Sequence, residues 1–157
     1  MLRVTKLADY GIIILTRLAR SSTDTCSARD VAAESRLPLP VVSKILKLLA
    51  RQELVASHRG IKGGYGLARK PEEITLAQVI RALEGPIAVT ECTDKIYGDC
   101  CLEKDCPVRG NWHRINHAID QALAMITLAE MIRPLPNLQI DLTKPGKERE
   151  FQALRQG

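Results

Sequence analysis

The sequence predicts a mainly α-helical chain with one small β-hairpin, built as a winged helix-turn-helix with a long amphipathic helix behind it. Three observations carry this. Two short helical patterns meet at a proline-rich turn, and the second is basic on its outer side. A glycine-tipped, basic hairpin pattern follows, and an apolar stripe then runs through residues 108–132.

The first helix opens at Thr5 and runs to about Arg20, with Leu7, Tyr10 or Gly11, Ile14, Leu15 and Leu18 recurring every three or four residues. Ser21–Thr25 reads as a loop. Ser27 caps a second helix, Ala28 to Ser35, with Asp30 in its first turn where the helix dipole favours a carboxylate. Val31, Ala32 and Leu37 supply its inner face. Leu37-Pro38-Leu39-Pro40 turns the chain into a third helix, Val41 to Gln52. Val42, Ile45, Leu46 and Leu49 face inward, while Ser43, Lys44, Lys47 and Arg51 face out. Strands are expected over 54–59 and 65–69, around the tip Gly60-Ile61-Lys62-Gly63-Gly64. A fourth helix spans Leu76 to Leu83 and stops at Gly85-Pro86.

Residues 87–107 show neither helical nor strand periodicity, and a loop of that length normally serves a function. Val108 to Ile132 reads as one helix that would extend ~37 Å at 1.5 Å per residue. Trp112, Ile115, Ile119, Leu123 and Ile126 lie along its apolar stripe, the pattern of a homodimer seam. The domains expected are therefore 1–86 for the winged helix, 87–107 for the loop, 108–132 for the dimerisation helix and 133–157 for a loose tail.

Composition bounds the function. With 45% hydrophobic and 26% charged residues the 157-residue chain has a soluble, globular balance. Apolar runs such as Ile12–Leu15 fall far short of the ~20 residues a membrane span needs, and Arg3, Lys6, Asp9 and Arg17 interrupt any leader. A cytoplasmic protein with no membrane partner is expected. Residues 1–70 carry thirteen Lys and Arg against five Asp and Glu, whereas 71–157 carry ten against thirteen. A basic front half suits a polyanion. In a helix-turn-helix the second helix meets base edges while flanking cations hold phosphates. Ser43, Lys44 and Lys47 are thus candidates for the groove, and Arg59, Lys62, Gly63, Gly64 and Tyr65 for the wing. Thr5 and Lys6 are candidates for positioning on phosphate. Two copies about one DNA turn apart (~34 Å) predict a roughly two-fold operator on double-stranded DNA.

Five cysteines in a chain with no secretory leader argue against a disulfide framework. Cys26 stands apart, while Cys92, Cys100, Cys101 and Cys106 share the loop. The steps are Cys92-x7-Cys100-x5-Cys106, or Cys92-x8-Cys101-x4-Cys106, and no Cys-x-x-Cys occurs. Structural zinc prefers tighter pairs, and a polyatomic iron–sulfur cluster tolerates wider steps. Iron–sulfur, zinc and a cofactor-free thiol switch all remain open on spacing. No set of nucleophile, base and acid points to an enzyme or a small-molecule substrate.

The run from Leu54 to Arg69, with Arg59-Gly60-Ile61-Lys62-Gly63-Gly64-Tyr65-Gly66-Leu67 at its centre, resembles the wing signature of the IscR/NsrR family of bacterial transcription regulators. Ile74-Thr75-Leu76, Glu84-Gly85 and the three-cysteine loop before a long helix fall where that family continues. Cys106-Pro107 and Asn111-Trp112 resemble the regulators of the SUF iron–sulfur assembly system. The resemblance, over about residues 1–132, implies a homodimeric winged-helix repressor with one iron–sulfur cluster per subunit, of two or four irons. Cys92 and Cys106 match its ligands, Cys100 is the middle match and Cys101 the alternative. Where IscR-like members carry a ligand histidine this chain has Arg109, so Asp9 from the first helix of the partner subunit, as in NsrR-like members, is the implied fourth ligand. His113 and His117 are rivals. Two other readings stand beside this one: a zinc- or thiol-based DNA-binding regulator, and a scaffold protein of cluster assembly that does not bind DNA.

Overall fold

A computed structural model describes residues 4–21, 25–60, 63–94, 100–101 and 105–133. Lys62, Arg3 and all of the expected tail but Arg133 lie outside them. The elements in order are α1 (Lys6–Arg20), α2 (Ala28–Ser35), α3 (Leu39–Arg51), β1 (Val55–His58), β2 (Gly64–Leu67), α4 (Leu76–Glu84), α5 (Arg109–Met125) and α6 (Leu128–Ile132). Short 3-10 turns occupy Pro71–Glu73 and Glu91–Thr93. Among the described residues no helix is long and apolar enough to cross a membrane.

Local chemistry sets most of these boundaries. Thr5 caps α1 by accepting from the amides of Leu7 and Ala8, and Ser27 with Asp30 closes a capping box on α2. α3 begins at Leu39, two residues before its apolar period, because Pro38 and Pro40 hold backbone angles suited to a helix start. β1 and β2 pair antiparallel with Val55 opposite Leu67 and His58 opposite Gly64, so the strands are shorter than alternation predicts. Gly85, at φ 88°, ends α4 in a conformation that costs glycine little.

Within α1, α2 and α3 the core follows the helical spacing. Ile14, Leu15 and Leu18 of α1 pack with Val31 of α2, with Val42, Ile45, Leu46 and Leu49 of α3, and with Val79 and Leu83 of α4. Leu54, Val55 and Ile74 close it from the wing side. Cys26 joins the hairpin edge through paired backbone bonds with Tyr65, at 2.9 and 2.8 Å. Gly64 lies so near that a Cβ there would sit 2.7 Å from the Cys26 carbonyl oxygen. Only glycine permits that approach.

The helix expected over 108–132 is divided. α5 ends at Met125, Ile126 is extended, and Thr127 starts α6 with a capping box closed by Glu130. The break is held by tertiary bonds: the Leu76 amide donates to Ile126 at 2.9 Å, and the Leu128 amide to Ile74 at 2.8 Å. These bonds bring Thr75 and Thr127, each the cap of a helix, into an antiparallel bridge. Leu128 is thereby fully buried in the winged-helix core, so α6 packs with the front domain. Ile126 drops out of the helical stripe as its carbonyl joins this bridge.

The Glu130 carboxylate accepts from the Thr127 amide, and this bond holds its pKa below the usual range. A lowered folded-state pKa stabilises above the unfolded value and is lost as pH falls through the folded one. Glu130→Gln is therefore expected to flatten the acid side of the stability curve, while Thr127→Ala costs about 1 kcal/mol at neutral pH. Urea unfolding between pH 3 and 7 checks both; an unchanged acid slope in Glu130→Gln removes the carboxylate from the cap.

Candidate nucleic-acid interface and cysteine loop

α3 is pinned by its buried edge, which leaves Lys44 and Lys47 exposed and Ser43 half-buried. Its N-terminus has no side-chain cap and no acidic residue in the first turn. The positive end of the helix dipole thus stands unopposed where an anion would approach. Arg36, exposed and left-handed at φ 55°, adds a cation in the turn just before it. Charge spacing alone does not single out Arg36; its place follows from the turn conformation.

Arg59 is exposed past the end of β1, and Lys62 lies outside the described residues. The Gly63 amide donates to the Gly60 carbonyl at 2.9 Å, tightening the tip. Gly64 and Tyr65 have internal work: Gly64 makes room for Cys26, and half-buried Tyr65 packs on the core. Thr5 is also committed internally, since its oxygen caps α1 and its hydroxyl donates to Glu84. Lys6 next to it is exposed. The candidates therefore separate into an exposed cationic set and a set that shapes the hairpin and α1.

The cysteine loop is rooted at both ends. On α5, Asn116 accepts from the Val89 amide at 3.0 Å and donates to the Ile87 carbonyl at 2.9 Å. Thr93, buried, accepts from the amides of Val89 and Thr90, each at 3.1 Å. Arg81 of α4 pairs with Asp120 of α5. Cys92 sits inside this braced turn, its Sγ 3.2 Å from Thr90 Oγ1, and the Cys106 carbonyl accepts from the Arg109 amide at the start of α5. Asn116 and Thr93 carry no motif in the sequence; a mid-helix asparagine is the one hint of a backbone partner.

None of the five cysteines is in a disulfide, and Cys101 is exposed while Cys26, Cys92, Cys100 and Cys106 are half-buried. Asp9, His113 and His117 are exposed. Among the described residues no three His, Cys, Asp or Glu side chains come together as a metal group. The donors thus suit an iron–sulfur centre in kind, as reduced, partly screened thiols, while the described residues of one chain do not gather three of them. Cys26 belongs elsewhere, with its thiol 3.1 Å from Ser21 Oγ.

Residues 4–134 match the family model described as "Rrf2: Iron-dependent Transcriptional regulator". The HTH-type transcriptional regulator CymR of Bacillus subtilis (strain 168) is 30% identical over 132 residues, covering 83% of this chain and 89% of that protein. The HTH-type transcriptional regulator NsrR of Shouchella clausii (strain KSM-K16) is 26% identical, over 83% of this chain and 89% of its own. Among solved structures, CymR, the global cysteine regulator of B. subtilis, has a TM-score of 0.65 at 30% identity, covering 84% of this chain and 97% of that one. IscR of T. potens has a TM-score of 0.62 at 29% identity, covering 83% and 86%. These relatives are regulators and not enzymes. With its winged helix-turn-helix and its exposed cations in place, the chain belongs to the Rrf2 family of DNA-binding transcriptional regulators.

Proposed function

We propose that the protein is a homodimeric repressor whose grip on a two-fold operator is set by an iron–sulfur cluster on Cys92, Cys100 and Cys106, with Asp9 of the partner subunit as fourth ligand, and that it controls iron–sulfur assembly genes. The observation that carries this reading is the braced cysteine turn: three half-buried free thiols stand in one loop whose root is fastened to α5. The half-burial of Cys100 against the exposure of Cys101 favours Cys100 as the middle ligand. When bound, such a cluster supplies a redox-, nitric oxide- and iron-sensitive crosslink. The chain's own residues do the rest. Asn116 ties the loop root to α5, Arg81 ties α4 to α5 through Asp120, Thr5 ties α1 to the last residue of α4, and α1 packs on α3. A change in the loop therefore reaches the DNA-facing helix through rigid contacts.

Ser43, Lys44 and Lys47 face the major groove, and Arg59 and Lys62 serve the wing. Lys44→Ala is expected to relax specificity at one base position, while Lys47→Ala weakens all sequences alike and reduces the salt slope by about one. Gel-shift titrations on operator and random duplexes at several salt concentrations check this. Equal losses on both duplexes for both variants remove Lys44 from base readout.

A second reading, a thiol-based regulator without a cluster, is favoured by the absence of a three-donor group among the described residues and by the likeness to the cysteine regulator CymR. An anaerobic absorption spectrum with iron, sulfide and zinc counts separates the two. A colourless protein without iron ends the first reading, and its zinc content then tells a zinc-based from a thiol-based regulator.

A further inference from the structure

Thr90 opens the 3-10 turn that carries Cys92, and its hydroxyl oxygen lies 3.2 Å from the Cys92 sulfur. Either atom could donate at that separation, so the neighbours decide the direction of the bond. Among the described residues the other side-chain atom in reach of Thr90 Oγ1 is Thr93 Oγ1, at 3.4 Å. Thr93 is already saturated. Its one hydroxyl hydrogen goes to the Thr90 carbonyl at 2.8 Å, and its two lone pairs take the amides of Val89 and Thr90, each at 3.1 Å. That leaves the Cys92 sulfur as acceptor for the Thr90 hydroxyl. A ligating cysteine has given up its proton and has nothing to donate in return. Thr90 and Cys92 are both half-buried, which strengthens the bond relative to water.

We propose that Thr90 tunes the Cys92 thiolate: its hydroxyl donates to that sulfur and so sets how firmly an electron is held there and how readily the sulfur is attacked. The consequence for a redox centre rests on the iron–sulfur reading above, whereas the bond and its effect on the bare thiolate do not. Hydrogen bonds to ligand sulfurs are among the factors that set the potential of an iron–sulfur centre. Uptake of one electron adds one negative charge and breaks no bond, so a donor at the sulfur stabilises the reduced form more than the oxidised one. Loss of the donor therefore moves the midpoint potential negative. Among the described residues no hydroxyl stands at the sulfur of Cys100, Cys101 or Cys106, so Cys92 is the loop sulfur shielded in this way.

The test compares full-length wild type, Thr90→Val and Thr90→Ser, purified without oxygen. Valine keeps the branched shape without the hydroxyl, and serine keeps the hydroxyl. The midpoint potential is read by absorption during titration with dithionite, the electron donor. Cluster-free protein is labelled with iodoacetamide, and the Cys92-to-Cys106 ratio is read by mass spectrometry. Labelling at about pH 10, above the ordinary thiol pKa of about 8.5, compares reactivity rather than ionisation. Thr90→Val is expected to retain iron and sulfide, with a midpoint more negative by about 30–60 mV, a three- to tenfold change in the oxidised-to-reduced ratio. Its Cys92 is labelled at least threefold faster, and Thr90→Ser matches wild type in both readouts. Should Thr90→Val not fold, Thr90→Ala takes its place. A valine variant equal to wild type in potential and labelling overturns the proposal. So does a serine variant that behaves like valine, which makes Thr90 a matter of shape. Wild-type protein without iron or sulfide ends the cluster reading instead, and the labelling ratio alone then decides the role of Thr90.

Discussion

Cys92→Ala and Cys106→Ala are each expected to abolish iron and sulfide retention in protein purified without oxygen, while Cys26→Ala retains both. The difference follows from place. Cys92 lies in the turn braced by Thr93 and Asn116, and Cys106 stands at the entrance to α5. Cys26 is fastened to the hairpin edge by its backbone, with its thiol on Ser21. Loss of one thiolate from a three-cysteine set removes a strong ligand that water does not replace. Asp9→Ala, which removes a weaker oxygen ligand, is expected to leave a cluster that decays faster in air. The apo variants should differ from wild type in operator affinity by about 5–150-fold, the usual span of an allosteric coupling of 1–3 kcal/mol. Iron and sulfide assays with gel-shift titrations measure both effects. Wild-type protein that holds no iron, or that binds its operator identically with every loop cysteine replaced, ends the sensing account.

Ile115→Glu is expected to convert a dimer into a folded monomer and to weaken operator binding by about 100-fold or more. α5 contributes no buried side chain to its own chain. Its apolar row is instead open, with Trp112 37% and Ile115 44% exposed, and Val108 at its N-terminal end 46% exposed. Covering each such side chain against a second copy is worth roughly 1.5–3 kcal/mol, whereas a carboxylate placed in the middle of the row costs desolvation with no partner. The front domain does not depend on Ile115, so thermal unfolding should change little. Operator binding should fall steeply, because a dimer engages its second half-site at high effective concentration and a monomer cannot. Sedimentation velocity and a gel shift on the full operator decide it. A variant that still sediments as a dimer moves the interface away from α5.

The helices of the front domain were legible because their causes are local. Ser27 with Asp30 and Thr75 with Gln78 start helices by closing bonds within three residues. The spacing of Val42, Ile45, Leu46 and Leu49 marks a buried edge with no knowledge of what it meets. The exposed cations Lys44, Lys47 and Arg59 could be placed by the same logic. The division of the last helix shows where it stops. Thr127-x-x-Glu130 is a readable cap, yet the apolar period runs straight through it. A cap inside an unbroken stripe does not say whether the helix breaks.

Composition, apolar period and capping residues thus determined by themselves a basic winged helix, a thiol-bearing loop and an amphipathic helix behind it. Only the tertiary structure decided that α6 closes the core through the Thr75–Thr127 bridge, that Gly64 yields space to Cys26, and that Asn116 roots the cysteine turn. The physical reason is distance along the chain. Capping and periodicity act within a few residues, whereas a backbone bridge, a close approach or a side-chain brace depends on which remote segment arrives beside it.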